Sequence, residues 1–195
     1  MQIAPGVRDS DGIALNLADP KSPDWARAID ILEGRICERF VEPVDFLIAS
    51  EEPRLATERK FGFAVLAVDC LLVETLGAFI EGMEDTKGKS EETLCKFLTT
   101  RPKFSADFKT NDLAKKFYIE FRCGILHQAE VGGDSVIWSV GPLLTVVDGK
   151  IIVNRTKFHV HLKEEFQGYL AELRDPKNVI LRENFRKKMD FISRS

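Results

Sequence analysis

The chain has 195 residues, of which 44% are hydrophobic and 30% charged, and its formal net charge is −3. A chain of that length buries a real core without disulfide or metal staples, and its balance of apolar and charged residues excludes intrinsic disorder. The slightly acidic net charge excludes a global electrostatic footprint for nucleic acid, so any RNA-binding surface has to be a local patch.

The four cysteines, Cys37, Cys70, Cys95 and Cys123, are widely spaced and contain no Cys-x-x-Cys pair. They read as reduced thiols of a cytoplasmic protein rather than a disulfide framework. The start, MQIAPGVRDSDGIALN, lacks the basic residues and apolar run of a secretory signal. Phe61 to Ile80 imitates a membrane span, but Asp69 and Glu74 interrupt it near the middle. Central carboxylates are costly in lipid, so a buried core helix and no membrane association are expected.

Residues 1 to 21, rich in Gly, Pro and Asp, read as an extended N-terminal arm. Ser22-Pro23-Asp24 starts the first helix, which runs to about Ala49 on a stripe of Ile29, Leu32, Ile36, Phe40, Val44 and Leu47. Pro43 inside it predicts a kink or a break. A second helix spans about Glu58 to Met83 and is apolar nearly all round, which marks it as central. A shorter helix covers Glu91 to Thr99. Thr110 or Asn111 caps the next one, whose buried stripe is Leu113, Phe117, Phe121 and Ile125.

The pattern then changes to β-branched runs: Val136 to Trp138, Leu143 to Val147 and Ile151 to Val153. Asp148-Gly149 is a hairpin signal, and His159-Val160-His161 extends the sheet edge. This hairpin is expected to be peripheral. Two closing helices carry Leu162, Phe166, Leu170 and Leu173, then Leu181, Phe185 and Met189 inward, separated by Asp175-Pro176. The expectation is a mainly α fold: an up-and-down helical bundle over 22–195 with a small β-hairpin insertion at about 134–161.

The segment FYIEFRCGILHQAE, Phe117 to Glu130, carries most of the chemistry. Arg122 and His127 are five residues apart, which on an ideal helix turns them ~140° from each other. One helix face cannot hold both, so either Gly124 loosens the helix end or the pairs meet across a dimer. Metal-free RNA cleavage needs a group that moves a proton at the 2′-hydroxyl or the leaving oxygen, and histidine titrates near neutrality. It also needs fixed positive charge where phosphate charge develops, which a guanidinium supplies. A solvated Arg and a helix-capping His are the plain alternative.

Other candidates are weaker. Glu74 and Asp69 are acids in the most apolar helix, and buried acids need partners; a basic neighbour inside the bundle would satisfy either. Cys123 and His127, four apart, could form a thiol–base dyad. His159 and His161 would share one side of a strand and could hold a metal, although two solvent-facing histidines are the simpler reading. Residues 101–122 hold Arg101, Lys103, Lys109, Lys115, Lys116 and Arg122 against three acids, and 182–194 hold Arg182, Arg186, Lys187, Lys188 and Arg194 against two, each a local +3. Lys115 and Lys116 are the candidate RNA contacts because they lead to Arg122. No cofactor motif or metal-ligand cluster is visible.

Phe-Arg-Cys-Gly-Ile-Leu-His-Gln-Ala-Glu at 121–130, with Glu74-Thr75-Leu76, Phe79, Phe97-Leu98 and Phe104 upstream, resembles the HEPN superfamily, in particular small bacterial, often plasmid-borne members. The likeness covers about residues 60–131. It implies a helical bundle that dimerises with two Arg-x4-6-His motifs facing each other. It also implies a metal-independent endoribonuclease of a toxin–antitoxin or antiviral system, with RNA, a second copy and an antitoxin as partners. Arg122 and His127 would then be the catalytic pair, with Glu74 as the acidic member of the site. The sequence departs from the pattern at Cys123, where HEPN ribonucleases often carry Asn, Asp or His. A non-catalytic HEPN module that binds nucleotide, RNA or protein is the alternative.

Overall fold

The computed structural model describes residues 2–8 and 15–194 and is mainly helical, with two small sheets. Residues 2–8 are not an extended arm. They form a hairpin of β1 (Gln2–Ala4) and β2 (Val7–Arg8). Ile3 and Ala4 are buried, and the Arg35 guanidinium donates to the Ile3 carbonyl at 2.5 Å. Two apolar side chains thus seal the hairpin onto α1 (Asp24–Ile36). The expected arm at 9–14 lies outside the described residues.

Pro43 does not break the first helix. The run continues from α1 through a π-turn over Cys37–Val41 into α2 (Glu42–Glu51). A proline ring clashes with the carbonyl four residues back and offers no N–H. The wider π-turn, placed just upstream, absorbs the mismatch without ending the helix.

The central element is α3 (Gly62–Glu81), which buries Leu66, Leu72, Val73, Leu76 and Phe79 among others. An 18-residue window of it has mean hydropathy 2.1 and is 61% buried. It is long and apolar enough to cross a membrane, and here it is the helix around which the others pack. Those are α4 (Ser90–Thr100), α8 (Arg155–Arg174) and α9 (Val179–Arg194). The short α5 (Pro102–Ser105) contributes Phe104, which packs on Phe97, Phe108 and Phe158. Aromatic pairs of this kind add to plain area burial.

The insertion is a three-stranded sheet, not a lone hairpin. β5 (Lys150–Asn154) lies between β4 (Leu144–Val147), antiparallel, and β3 (Val136–Trp138), parallel. Asp148 and Gly149 turn with φ of 50° and 77°, the two positive values that a type I′ hairpin needs. The sheet is also not peripheral. Ile151 and Val153 are fully buried and Leu143 nearly so, all in the same core as the helices. Period-two alternation sends Ile151 and Val153 inward together.

The sheet ends earlier than the β-branched pattern suggests. Asn154 Oδ1 accepts from the N–H groups of Thr156 and Lys157, both at 3.1 Å, which caps α8. His159-Val160-His161 therefore lies on a helix and not on a sheet edge. The three-and-four spacing of Phe158, Leu162, Phe166 and Leu170, all buried, overrides the local strand propensity.

A core role for the sheet has a measurable consequence. Ile151→Ala should destabilise by roughly 2–5 kcal/mol, read as a lowered urea midpoint. Val147→Ala, at a half-exposed position on the neighbouring strand, should stay within about 0.5 kcal/mol. Equal small effects would return the sheet to the periphery.

Candidate catalytic site

Thr110 starts the helix that carries the site. Its hydroxyl accepts from the Leu113 N–H at 3.2 Å and caps α6 (Asn111–Phe117). The helix widens into a π-turn over Tyr118–Cys123, tightens again as α7 (Gly124–Gln128), and stops where Ala129 turns left-handed at φ 56°. Phe117, Phe121 and Gly124 face the core.

Gly124 does not loosen the helix end. Its φ of −57° is regular, and a Cβ there would stand 2.6 Å from the Glu130 carbonyl oxygen. The missing side chain lets the segment after the helix fold back along it. The Gly132 N–H then bonds the Glu120 carbonyl at 3.0 Å, a carbonyl that lies within the π-turn. Glu120 itself is buried. Its carboxylate pairs with Lys116 and accepts from Ser135 Oγ at 2.6 Å, while Ser135 Oγ accepts from Ile151 N–H at 2.8 Å. The helix is thereby tied to the sheet. Glu120 was legible as an acid three residues after the buried Phe117, on the inward face.

Arg122 and Glu74 meet. Nε of Arg122 donates to Glu74 Oε1 at 2.6 Å and Nη2 to Oε2 at 3.3 Å. This is the two-pronged geometry that suits a guanidinium and a carboxylate. The side chains are 14% and 7% exposed, and the guanidinium carbon lies 5.6 Å from the Tyr118 ring centre. Burial works against the Arg122 charge, but the Glu74 carboxylate outweighs it and raises the guanidinium pKa. Burial, together with a hydrogen bond to the Cys123 thiol, pushes the Tyr118 hydroxyl up to about 12. Glu74 thus holds Arg122 in one orientation, with its charge fixed.

His127 is placed differently. It is exposed and has no hydrogen-bond or ion-pair partner among the described residues. It does not pair with Cys123, whose thiol is engaged by Tyr118. Within one chain Arg122 leans toward α3 while His127 faces outward, and Ile119 and Leu126 of the same helical run are 52% and 37% exposed.

The basic clusters are largely neutralised in space. Lys115 pairs with Glu91 at 2.9 Å and Lys116 with Glu120, so the two candidate RNA contacts are occupied. Arg101 pairs with Glu165 and Glu172, and Lys103 with Glu164. In the tail Arg186 is held by Glu183 and Asp190, and Arg182 is buried against the Trp25 ring at 3.7 Å.

The remaining histidines are not solvent-facing partners on a strand. His159 is 1% exposed; its Nδ1 lies 2.8 Å from Asp69 Oδ1 and its Nε2 3.3 Å from Asp45 Oδ1. His161 sits on the surface with Nδ1 at 2.9 Å from the Lys103 carbonyl. Two positions apart on a helix, they diverge by ~160°. Asp69 therefore has an internal basic partner, and burial raises its pKa despite His159.

The chain matches no family model, no curated protein and no solved structure. What bears on its function is therefore its own geometry.

If Glu74 and Arg122 are one unit, they should couple. Removing one partner of a buried pair strands the other charge and costs about 3–5 kcal/mol. Glu74→Ala and Arg122→Ala should each destabilise strongly. The double variant should cost far less than the two combined, a coupling that a double-mutant cycle in denaturant measures.

Proposed function

We propose that this chain is a HEPN-type, metal-independent endoribonuclease that cleaves single-stranded RNA as a homodimer, with Arg122 and His127 at the reacting centre and Glu74 positioning Arg122. The observation that carries the reading is the contrast between the two motif residues. One is a guanidinium clamped by a buried carboxylate; the other, five residues on, is an exposed imidazole with no partner among the described residues. A fixed cation and a free proton carrier are the two parts that this chemistry needs.

A two-fold dimer on this helix supplies what one chain lacks. Closed dimers repeat the same patch on both sides. Here the exposed Ile119 and Leu126 give an apolar surface to bury between two copies. Both Arg122–His127 pairs then line one cleft. The 2′-hydroxyl gives its proton to one imidazole and attacks its own phosphorus. The bond from phosphorus to the 5′ oxygen breaks, and that oxygen takes a proton from a histidine of the cleft. Arg122 balances the charge that builds on the phosphate. The products are a 2′,3′-cyclic phosphate and a 5′-hydroxyl. A cytoplasmic toxin or antiviral effector, checked by a partner antitoxin, is the setting that this activity fits.

Cleavage of single-stranded RNA should proceed in EDTA, leave DNA intact, and be abolished by His127→Ala. Arg122→Lys should lose most of it, because a point charge cannot reproduce the fork, while Cys123→Ser should change little. Metal dependence, or cleavage that survives His127→Ala, would sink the mechanism and leave a binding module.

The dimer has its own test. Sedimentation should show a dimer at micromolar concentration, and Leu126→Asp should give a folded, inactive monomer. A wild-type chain that is monomeric and still cleaves would remove the two-fold site.

A further inference from the structure

A second polar site lies where the loop after α2 meets β3 and the start of α3. It is a cavity of about 80 Å³, lined by Thr57, Arg59, Gly62, Trp138, Ser139 and Arg155 among others. What sets it apart is unused hydrogen-bonding capacity. Arg59 Nε, Ser139 Oγ and Arg155 Nη1 are buried and have no partner among the described residues. Arg155 is 2% exposed and Ser139 9%. Buried donors are satisfied in the great majority of cases, so three orphans around one cavity point to something that fills it.

The charge points the same way. Glu51 accepts from the N–H groups of Lys60 and Phe61 and pairs with Arg155 Nη2 at 2.6 Å. That pairing fixes the Arg155 fork and leaves Nη1 over for the cavity. Glu51 offsets one guanidinium. Arg59 has no ion pair among the described residues, so the lining is net positive. The 20-residue α3 begins at Gly62 with no acid in its own first turn, and the acid that faces its N-terminal end is Glu51, through the Phe61 N–H. Gly62 also admits β3 closely, since a Cβ there would stand 2.9 Å from Ile137 Cγ2.

Size narrows the occupant. A water takes up about 30 Å³, so the cavity holds two or three waters, or one tetrahedral oxyanion, but not a nucleotide. At its edge Trp138 is 36% exposed and offers a ring to whatever the oxyanion carries. We propose that this cavity binds the phosphate monoester of a nucleotide or an RNA end, with Arg59, Arg155 and Ser139 holding the phosphate and Trp138 stacking on the base. The site is separate from the Arg122–His127 centre and does not rest on the ribonuclease reading.

The test titrates inorganic phosphate, adenosine 5′-monophosphate and adenosine, following tryptophan fluorescence and thermal unfolding. Trp138 should report, because the other tryptophan, Trp25, is buried. The monophosphate should bind and raise the unfolding midpoint, inorganic phosphate should bind more weakly, and adenosine should not bind. Arg59→Gln should weaken monophosphate binding roughly tenfold or more, the scale of a lost charge-assisted contact, and Ser139→Ala by less. Trp138→Phe should narrow the gap between nucleotide and inorganic phosphate. Competition by a 5′-phosphorylated but not a 5′-hydroxyl oligoribonucleotide would assign the site to RNA ends; its absence would assign it to free nucleotides. Adenosine binding as well as its monophosphate, unchanged phosphate affinity in Arg59→Gln, or no binding at millimolar concentration would each overturn the proposal. His127→Ala should bind the monophosphate like wild type, so this site and the ribonuclease reading fail separately.

Discussion

The constraint on which the rest depends is the burial of most of α3 while it carries two carboxylates. Its apolar surface makes it the natural centre of a bundle, since hydrophobic burial is the dominant favourable term in folding. Asp69 and Glu74 come along with that surface, and a buried charge is tolerable only with a partner. The fold supplies His159 from α8 for one and Arg122 from the π-turn for the other. Helix packing around α3 is thus specified twice, once by apolar fit and once by which basic side chain must arrive where. Glu51, buried at the end of α2, repeats the logic by drawing in Arg155.

The same constraint explains the irregular helix from 111 to 128. Phe117 and Phe121 must stay in the core, where they stack on each other and Phe117 also stacks on Phe158, while Arg122 reaches Glu74. The π-turn re-phases the helix between these demands. Its Glu120 carbonyl is taken up by the returning segment at Gly132, and the Glu120 side chain reaches Ser135 and through it Ile151. The insertion is therefore joined to the helix beneath it by hydrogen bonds as well as by apolar packing. A sheet held this way can build one wall of a polar cavity, which a loose hairpin could not.

Charge shows how far sequence proximity and spatial proximity can part. Residues 101–122 look cationic in one dimension, yet apart from Glu120 on Lys116 their acidic partners come from elsewhere: Glu74, Glu91, Glu164, Glu165 and Glu172. Exposed pairs such as Lys115–Glu91 contribute little to stability, but they do remove free positive charge from that face. Arg59, partly buried and without an ion pair among the described residues, lies in a stretch that composition did not single out.

Much of the helical layout was legible in the chain because apolar spacing of three and four survives any tertiary detail. The central helix, the Thr110 cap, the Asp148-Gly149 turn and the inward stripes of the last two helices all follow from local rules of that kind. Arg122, His127 and Glu74 could be named from their residue types and neighbours. Sequence alone did not decide what those residues touch. That Glu74 meets Arg122 across 48 positions, that Asp69 meets His159 across 90, and that His127 has no partner among the described residues depend on which helices pack together. The strand-like run at 159–161 became helix because an Asn154 cap and a distant apolar stripe outweigh local propensity. The end of the chain's β region and the hairpin at its start were settled in the same way: side-chain partners far along the sequence fixed what a short window of residues leaves open.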